Sequence, residues 1–362
     1  MDGPRAPTER EFPRVLEFLN SNLRPNANWS IASEYPTALT EANLNNIRII
    51  TEGDEVLSHS VIKPLIIRSP TIMYKVAAIG SVVTDNTRRG QGLSSQILNE
   101  CTQEAQKQEC DIAMLWTNLY DFYRRLDFEL AGFEESVVIE KEFAADLHNL
   151  RFIKGTKISA ESLHRLYCQH SVGSVRTVED IRKYLTIPNT CLYTAWDGHG
   201  QLVAYAVEGK GADLSGYIHE WGGAVSKLMA LFSWMRSEKQ APFTIILAHH
   251  SLNLLSALRS IPGALHNEGY LGMIKLINEQ QLFAKVHRAA RTVGIPNLIL
   301  QKTATGYALG VGQDSVEFTD QKDMVRILFG PLPEIPHLAP QTMDTLERIL
   351  PLPLWIWGWD SI

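Results

Sequence analysis

The sequence predicts an α/β chain, in finer terms α+β, made of two similar mixed-sheet units and a smaller third one. Three observations point to this. At 362 residues the chain exceeds one ordinary domain. Stretches with apolar residues at helical spacing alternate with short apolar or alternating runs typical of strands. An order of helix, several strands, helix, strand occurs twice, as an echo of element order rather than of residues.

The first helix is predicted at "TEREFPRVLEFLNSNL". There Thr8 and Glu11 have capping-box spacing, and Phe12, Val15, Leu16 and Leu19 share one face. "NNIRIITEGDEVLSHSVIKPLIIR" reads as strand, polar turn, strand, and "KVAAIGSVVT" as a further strand running into "TRRGQGLSSQIL". Leu93, Ile97, Leu98 and Cys101 mark the helix that follows. "CDIAMLWT" is nearly continuously apolar, as buried strands are. "NLYDFYRRLDFELAGFEES" predicts a short helix, then a strand near "SVVIEKEF".

A second unit starts near residue 150. "SAESLHRLYCQHS" and "TVEDIRKYL" predict helices, the latter capped by Thr177. "CLYTAWDGHGQLVAYAVEGKG" reads as a hairpin about Asp197 to Gly200, "SGYIHEWGG" continues the sheet, "AVSKLMALFSWMR" is a helix and "FTIILA" a buried strand. A third segment opens at "GYLGMIKLINEQQLFAKVHRAAR" with a helix over 279–291, strands at "NLILQK" and "GYALGV", and a helix in "FTDQKDMVRILFG". The proline-rich "PLPEIPHLAP" follows. The aromatic end, "LPLPLWIWGWDSI", is expected to be docked, because loose indoles would leave apolar surface in water.

Composition narrows the function classes. Hydrophobic residues make up 45% and charged residues 20%, with a net charge of -6 that disfavours a general nucleic-acid binder. Cys101, Cys110, Cys168 and Cys191 form no C-x-x-C pair, so neither a zinc knuckle nor a disulfide framework is indicated. A reducing compartment and a cytoplasmic location are expected, since the charged start "MDGPRAPTEREF" has no apolar signal region. No apolar run approaches about 18 residues, so no membrane span is expected. Ligand spacings such as H-E-x-x-H are missing, and neighbours His249 and His250 at a strand end point to opposite faces, so no metal is expected. No G-x-S-x-G elbow suggests a hydrolase.

The segment "TRRGQGLSSQIL" is the most informative. A glycine-bearing loop between strand and helix offers free N–H groups, the helix start adds partial positive charge, and Arg88 and Arg89 add full charge. Such a site suits phosphate or pyrophosphate. The same residues also suit a plain connector with solvated arginines. No Lys-Ser or Lys-Thr completes a P-loop, and Ser95 stands where a dinucleotide fingerprint needs its third glycine.

"GSVVTDNTRRGQGLSSQIL" resembles the acetyl-CoA-binding motif of GNAT N-acetyltransferases, R/Q-x-x-G-x-G/A, with Arg89, Gly92 and Ser94 on its marked positions. Ser94 replaces the usual glycine or alanine, and Asn86 stands where many members have proline. The resemblance implies that the amides of Arg89, Gly90, Gln91, Gly92, Leu93 and Ser94 hold the pyrophosphate of coenzyme A, with Arg88 nearby. It also implies that the backbone of Val82, Val83 and Thr84 pairs with the pantetheine arm. "NLYDFYRRLDFELAGF" resembles a second family segment, with Asn118, Tyr123, Leu126 and Phe128 matching and Asp127 replacing a glycine. This implies that the Tyr123 phenol protonates the leaving thiolate. A half-buried structural tyrosine is the plainer reading.

Across nearly its whole length the chain resembles the Eis-like acetyltransferases, which join two GNAT-type domains to a sterol-carrier-protein-like domain. The implied divisions are 1–145 for the catalytic domain, 146–268 for a degenerate second copy lacking the R-x-x-G-x-G loop, and 269–362 for the third domain with the docked tail. In that family the chain's own terminal carboxylate, here that of Ile362, enters the first site as base. A hydrophobic plug fits the tail as well, and Glu220 and His219 are rival bases. The function implied is acetyl-CoA-dependent N-acetylation of a primary amine, on a small molecule or peptide, by direct transfer in a ternary complex. Acidic residues outnumber basic ones by 40 to 34, a lean towards a cationic acceptor. Family members often form hexamers, and the sequence leaves the oligomeric order open. Two alternatives remain: a non-catalytic acyl-CoA sensor, and a transferase using a longer acyl-CoA.

Overall fold

The structure, a computed structural model, describes residues 1–333, 335 and 337–362, and the other two positions lie in the proline-rich stretch. The chain opens with β1 (Asp2–Arg5), α1 (Phe12–Leu23) and α2 (Ile31–Glu34). Half of the expected capping box forms: the Glu11 carboxylate accepts from the Thr8 N–H, but Thr8 turns its hydroxyl onto that carboxylate and α1 starts after Glu11. Phe12, Val15 and Leu19 are buried as the helical spacing predicts.

Next come β2 (Ile47–Glu52), β3 (Glu55–Arg68), β4 (Met73–Thr84), α3 (Leu93–Lys107), β5 (Ile112–Leu115), α4 (Tyr120–Arg124) and β6 (Glu129–Ala131). The chain then crosses into a second sheet through β7 (Glu134–Ile139) and β8 (Arg151–Lys154). There follow α5 (Ala160–Tyr167), β9 (Gly173–Ser174) and α6 (Val178–Tyr184), the last started by a complete capping box between Thr177 and Asp180. The hairpin of β10 (Cys191–Trp196) and β11 (Leu202–Lys210) leads to β12 (Asp213–Gly223), α7 (Val225–Lys239), β13 (Phe243–Ala248) and α8 (Leu252–Arg259). The remainder comprises β14 (Leu265–Gly269), β15 (Gly272–Leu276), α9 (Glu279–Thr292), β16 (Leu298–Lys302), β17 (Tyr307–Val311), β18 (Asp314–Phe318), α10 (Gln321–Phe329) and α11 (Pro340–Leu346).

Both large sheets are mixed, so the chain is α/β as the element order predicts. The first runs β1-β2-β3-β4-β5-β15-β6, with β9 on an edge of β3, and the second runs β14-β7-β13-β12-β11-β10-β8. Each has one parallel pair, β4 with β5 and β12 with β13. A third, antiparallel sheet holds β16, β17 and β18. The sheets exchange strands: β7, next to β6 in sequence, pairs in the second sheet, while β15, next to β14, inserts between β5 and β6 of the first. Sheet membership therefore changes at residues 132–133 and 270–271.

The aromatic tail lies inside the molecule. Trp355, Trp357 and Trp359 are at most 2% exposed, and Leu352, Leu354 and Ile356 are buried beside them. Trp355 and Trp357 join the large core cluster shared by both sheets and the C-terminal segment, whereas Trp359 packs under α5 and α6. Among the described residues, no helix is long and apolar enough to cross a membrane.

Candidate active site

Strand β4 organises the site. It pairs with β5 only through Val76, Ala77 and Ala78, and beyond Ala78 the two strands separate. On its other edge, the register with β3 slips between the Val61–Gly80 and His59–Val83 pairs, so β4 carries a bulge at Ser81 and Val82. Ser81 has φ of 50°, in the left-handed region. The fully buried His59 pins the bulge: its Nδ1 lies 2.8 Å from the Ser81 carbonyl and donates to it. Burial pushes the His59 imidazole down to about 4, so the ring is neutral near pH 7. The result is a stretch of β4 backbone whose β5-facing edge is uncovered.

The loop after β4 is a cradle of amides. The N–H groups of residues 89–95 have no acceptor among the described residues, and the next amide, that of Gln96, begins the helical pattern by donating to the Gly92 carbonyl. Gly90 and Gly92 have φ of 81° and 77°, which turns these groups towards one side at little steric cost. The start of α3 points into the same space. Arg88 is held by Glu52, while Arg89 is exposed with no carboxylate in ion-pair reach among the described residues. A run of hydroxyls ties the cradle to the strand: Thr84 Oγ1 lies 2.7 Å from both Ser58 Oγ and Ser94 Oγ. The side chains of Val83 and Leu93 are core residues, so only their backbone is free for a ligand.

Tyr123, on α4, packs in the cluster that contains Ile79 of β4, Leu115 of β5 and Leu93 of α3, the residues around the strand separation. Burial pushes its phenol up to about 12. Asn118 lies just before α4; it is exposed and makes no hydrogen bond among the described residues.

Ile362 arrives from the other direction. A Cβ on Gly80 would sit 2.6 Å from the Ile362 carboxyl carbon and 2.8 Å from its oxygen. The terminal carboxylate thus rests on β4 one residue before the bulge. Beside it is a cavity of about 340 Å³ lined by Tyr35, Trp116, Glu134, Asp213, Leu271, Trp355 and Ile362, among others. Glu134 has no hydrogen-bond or ion-pair partner among the described residues, and burial pushes its carboxyl up to about 7. A larger open cleft of about 780 Å³, lined by Gln106, Asn278, His287 and Lys302, touches none of these groups.

The rival bases are engaged elsewhere. Glu220 is fully buried and takes Nη1 and Nη2 of Arg176 at 2.7 and 3.0 Å. His219 is fully buried against the Gly209 carbonyl, and burial pushes its imidazole down to about 3. In the second sheet the equivalent strand separation is filled. Beyond the Tyr217–Thr244 and Ile218–Ile245 pairs, the Trp221 indole of β12 donates to the Ile246 carbonyl of β13, and Trp357 packs edge-on to Trp221 at 5.0 Å. Sequence reasoning missed Gly80, His59, Glu134 and the tail contacts described below. Nothing local marks them, because each acquires its role from a partner distant in the chain.

A parted parallel strand pair, a bulge, an amide cradle and a helix start together define a GNAT-type scaffold. Residues 4–131 match the family model for the acetyltransferase (GNAT) domain. No curated protein sequence matches the chain. Among solved structures, a GCN5-related N-acetyltransferase from Anabaena variabilis aligns with TM-score 0.69 at 15% identity, over 99% of each chain. A conserved protein of unknown function from Enterococcus faecalis, described as a probable N-acyltransferase, aligns with TM-score 0.63 at 15% identity, over 98% of this chain and 97% of that one. Eis1 from Mycobacterium abscessus aligns with TM-score 0.54 at 13% identity, over 87% and 84%. At such identities the likeness establishes the fold.

Proposed function

We propose that the chain is an acetyl-CoA-dependent N-acetyltransferase that acts on a primary amine by direct transfer in a ternary complex. The observation that carries this reading is the meeting, on one strand, of an amide cradle downstream of the bulge and a free carboxylate upstream of it. The donor fits the residues present: the amides of residues 89–95 suit a diphosphate, and the uncovered edge of β4 suits an extended amide arm. Acetyl-CoA supplies an activated thioester carbonyl.

The chain's own groups divide the remaining work. The Ile362 carboxylate takes the proton of the entering ammonium, since an amine attacks only when neutral. Main-chain N–H groups on the free edge of β4 hold the charge that develops on the carbonyl oxygen. The Tyr123 phenol stays protonated well above neutral pH and gives its proton to the departing sulfur. The cavity beside Ile362, with aromatic walls and the unpaired Glu134, receives the acceptor, which we read as a small cationic amine or a lysine side chain. The third sheet and its helices we read as the sterol-carrier-like domain of the Eis-like arrangement.

The test is calorimetry of acetyl-CoA with the full chain, together with coenzyme A release on a panel of diamines and lysine amide. Binding near one equivalent per chain with release that depends on the amine is expected. No binding would overturn the assignment of the cradle. Binding without release on any amine would favour an acyl-CoA sensor.

A further inference from the structure

The mechanism uses the last residue of the tail and leaves a buried ionic network two residues upstream without a role. The Asp360 carboxylate is 1% exposed. Its Oδ2 accepts from Arg176 Nε at 2.9 Å and Nη2 at 2.7 Å and from the Ser174 hydroxyl; its Oδ1 accepts from Tyr184 Oη at 2.9 Å and Lys63 Nζ at 3.4 Å. Burial works against this charge, yet Arg176 and Lys63 hold the carboxyl well below the usual carboxylate range. One residue further on, Lys210 Nζ donates to the Ser361 carbonyl, to Ser361 Oγ at 3.3 Å and to the Gly358 carbonyl at 2.9 Å. Gly358 itself admits no side chain, because a Cβ there would lie 2.2 Å from His219 Nδ1.

Burying the tail does not require such a network, since its three indoles already secure it. Buried ion pairs are weak stabilisers, and their best-attested use is to fix register. Register is what the terminal carboxylate needs, because sliding the tail by one residue would carry it off Gly80. The parts are also divided in an instructive way. Ser174, Arg176, Tyr184 and Lys210 all belong to the second unit, whose own strand separation is filled, and β9 delivers Ser174 to the edge of β3 in the first sheet. Lys63, on β3, is the one contribution from the first sheet.

We propose that the second unit serves as a clamp for the base, with Arg176 and Lys210 as positioning residues that set the tail's register so that the Ile362 carboxylate meets β4 at Gly80. This rests on reading Ile362 as the base. The charged or titratable groups around the tail end are Lys210 on β11, Asp213 on β12, Tyr35 after α2, Glu134 on β7, Lys63 on β3 and Asp360 within the tail.

The full-length chain, labelled with carbon-13 at the isoleucine carboxyl, has one labelled carbon that titrates, that of Ile362. Its titration midpoint by NMR and the kinetics with acetyl-CoA and diaminobutane are compared between wild type and Lys210→Met. The clamp requires the midpoint to rise by about one pH unit, as expected on removing a nearby cation. It also requires kcat to fall roughly tenfold or more, with KM for acetyl-CoA unchanged and partial recovery in Lys210→Arg. A folded Lys210→Met with the wild-type midpoint and kcat overturns the clamp. If Lys210→Met does not fold, Tyr184→Phe, which removes one hydroxyl from Asp360, is held to the same directions at about threefold in kcat. If diaminobutane is not turned over, the midpoint alone decides. A chain extended by one glycine separates the two ideas. Loss of turnover there with an unaltered Lys210→Met removes the clamp and keeps the base, whereas full turnover in the extended chain removes the base and the clamp with it.

Discussion

At Gly80 it is the missing side chain that counts. Its φ is not in the left-handed region, so alanine is tolerated by the backbone, and the clash falls on the Ile362 carboxyl, 2.6 to 2.8 Å from the new Cβ. Gly80→Ala is therefore expected to lower kcat roughly tenfold or more while leaving acetyl-CoA binding by calorimetry unchanged. Weakened acetyl-CoA binding with intact kcat would show that Gly80 serves the donor side instead. Tyr123→Phe keeps the ring that packs among Ile79, Leu93 and Leu115 and removes only the proton donor. The expected outcome is a fall in kcat of about a hundredfold at constant KM, read by steady-state kinetics, and an unchanged kcat would assign the ring to packing. Tyr123 was legible because a known pattern marks its place. Gly80 was not, because a glycine in an apolar strand carries no sign of which distant residue will press on it.

The element that does most for the site is the run from β4 through the loop into α3. Thr84 joins its parts, sharing its hydroxyl with Ser58 on β3 and with Ser94 in the first turn of α3. Thr84→Val keeps the shape and leaves two hydroxyls seeking partners, at a cost of about 1–3 kcal/mol where they cannot reach water. Denaturant unfolding is expected to show this loss, together with weaker acetyl-CoA binding because the cradle is no longer tied to the strand. Gly92→Ala should weaken binding by a different route, since a left-handed residue with a side chain costs roughly 1–2 kcal/mol and the open space around it offers no compensating contact. The loop was readable from its arginines and glycines because phosphate recognition by amides has a local signature. The exchange of β7 and β15 between sheets was not: an apolar run declares a buried strand but does not say which sheet buries it. The bulge escaped for a related reason, since it exists only in the register between β3 and β4.

At the scale of the whole molecule, the two sheets and the tail share one continuous core, so loss of any part is expected to be cooperative. Acid should be the agent that reveals this. His59, which pins the bulge, and His219, which packs against the tail at Gly358, are both fully buried, and burial lowers them to about 4 and about 3. In the unfolded chain each titrates near 6.5, at about the usual histidine value. Below that pH the unfolded state takes up protons that the folded state refuses, so stability is full above about 6.5 and falls as the pH drops towards the folded values. Each histidine contributes up to about 1.4 kcal/mol of loss per pH unit in that window. Asp360 acts later, because a carboxyl held below its ordinary value surrenders its contribution only under about pH 4. Denaturant midpoints measured between pH 7.5 and 4.5 should therefore fall steadily, with tryptophan fluorescence and turnover lost together. His59→Asn, which can still donate to Ser81 but does not titrate, is expected to flatten this slope. A slope unchanged in that variant, or turnover lost well before the indoles become exposed, would mean that the acid response belongs to other groups and that the tail and the bulge are not one cooperative unit.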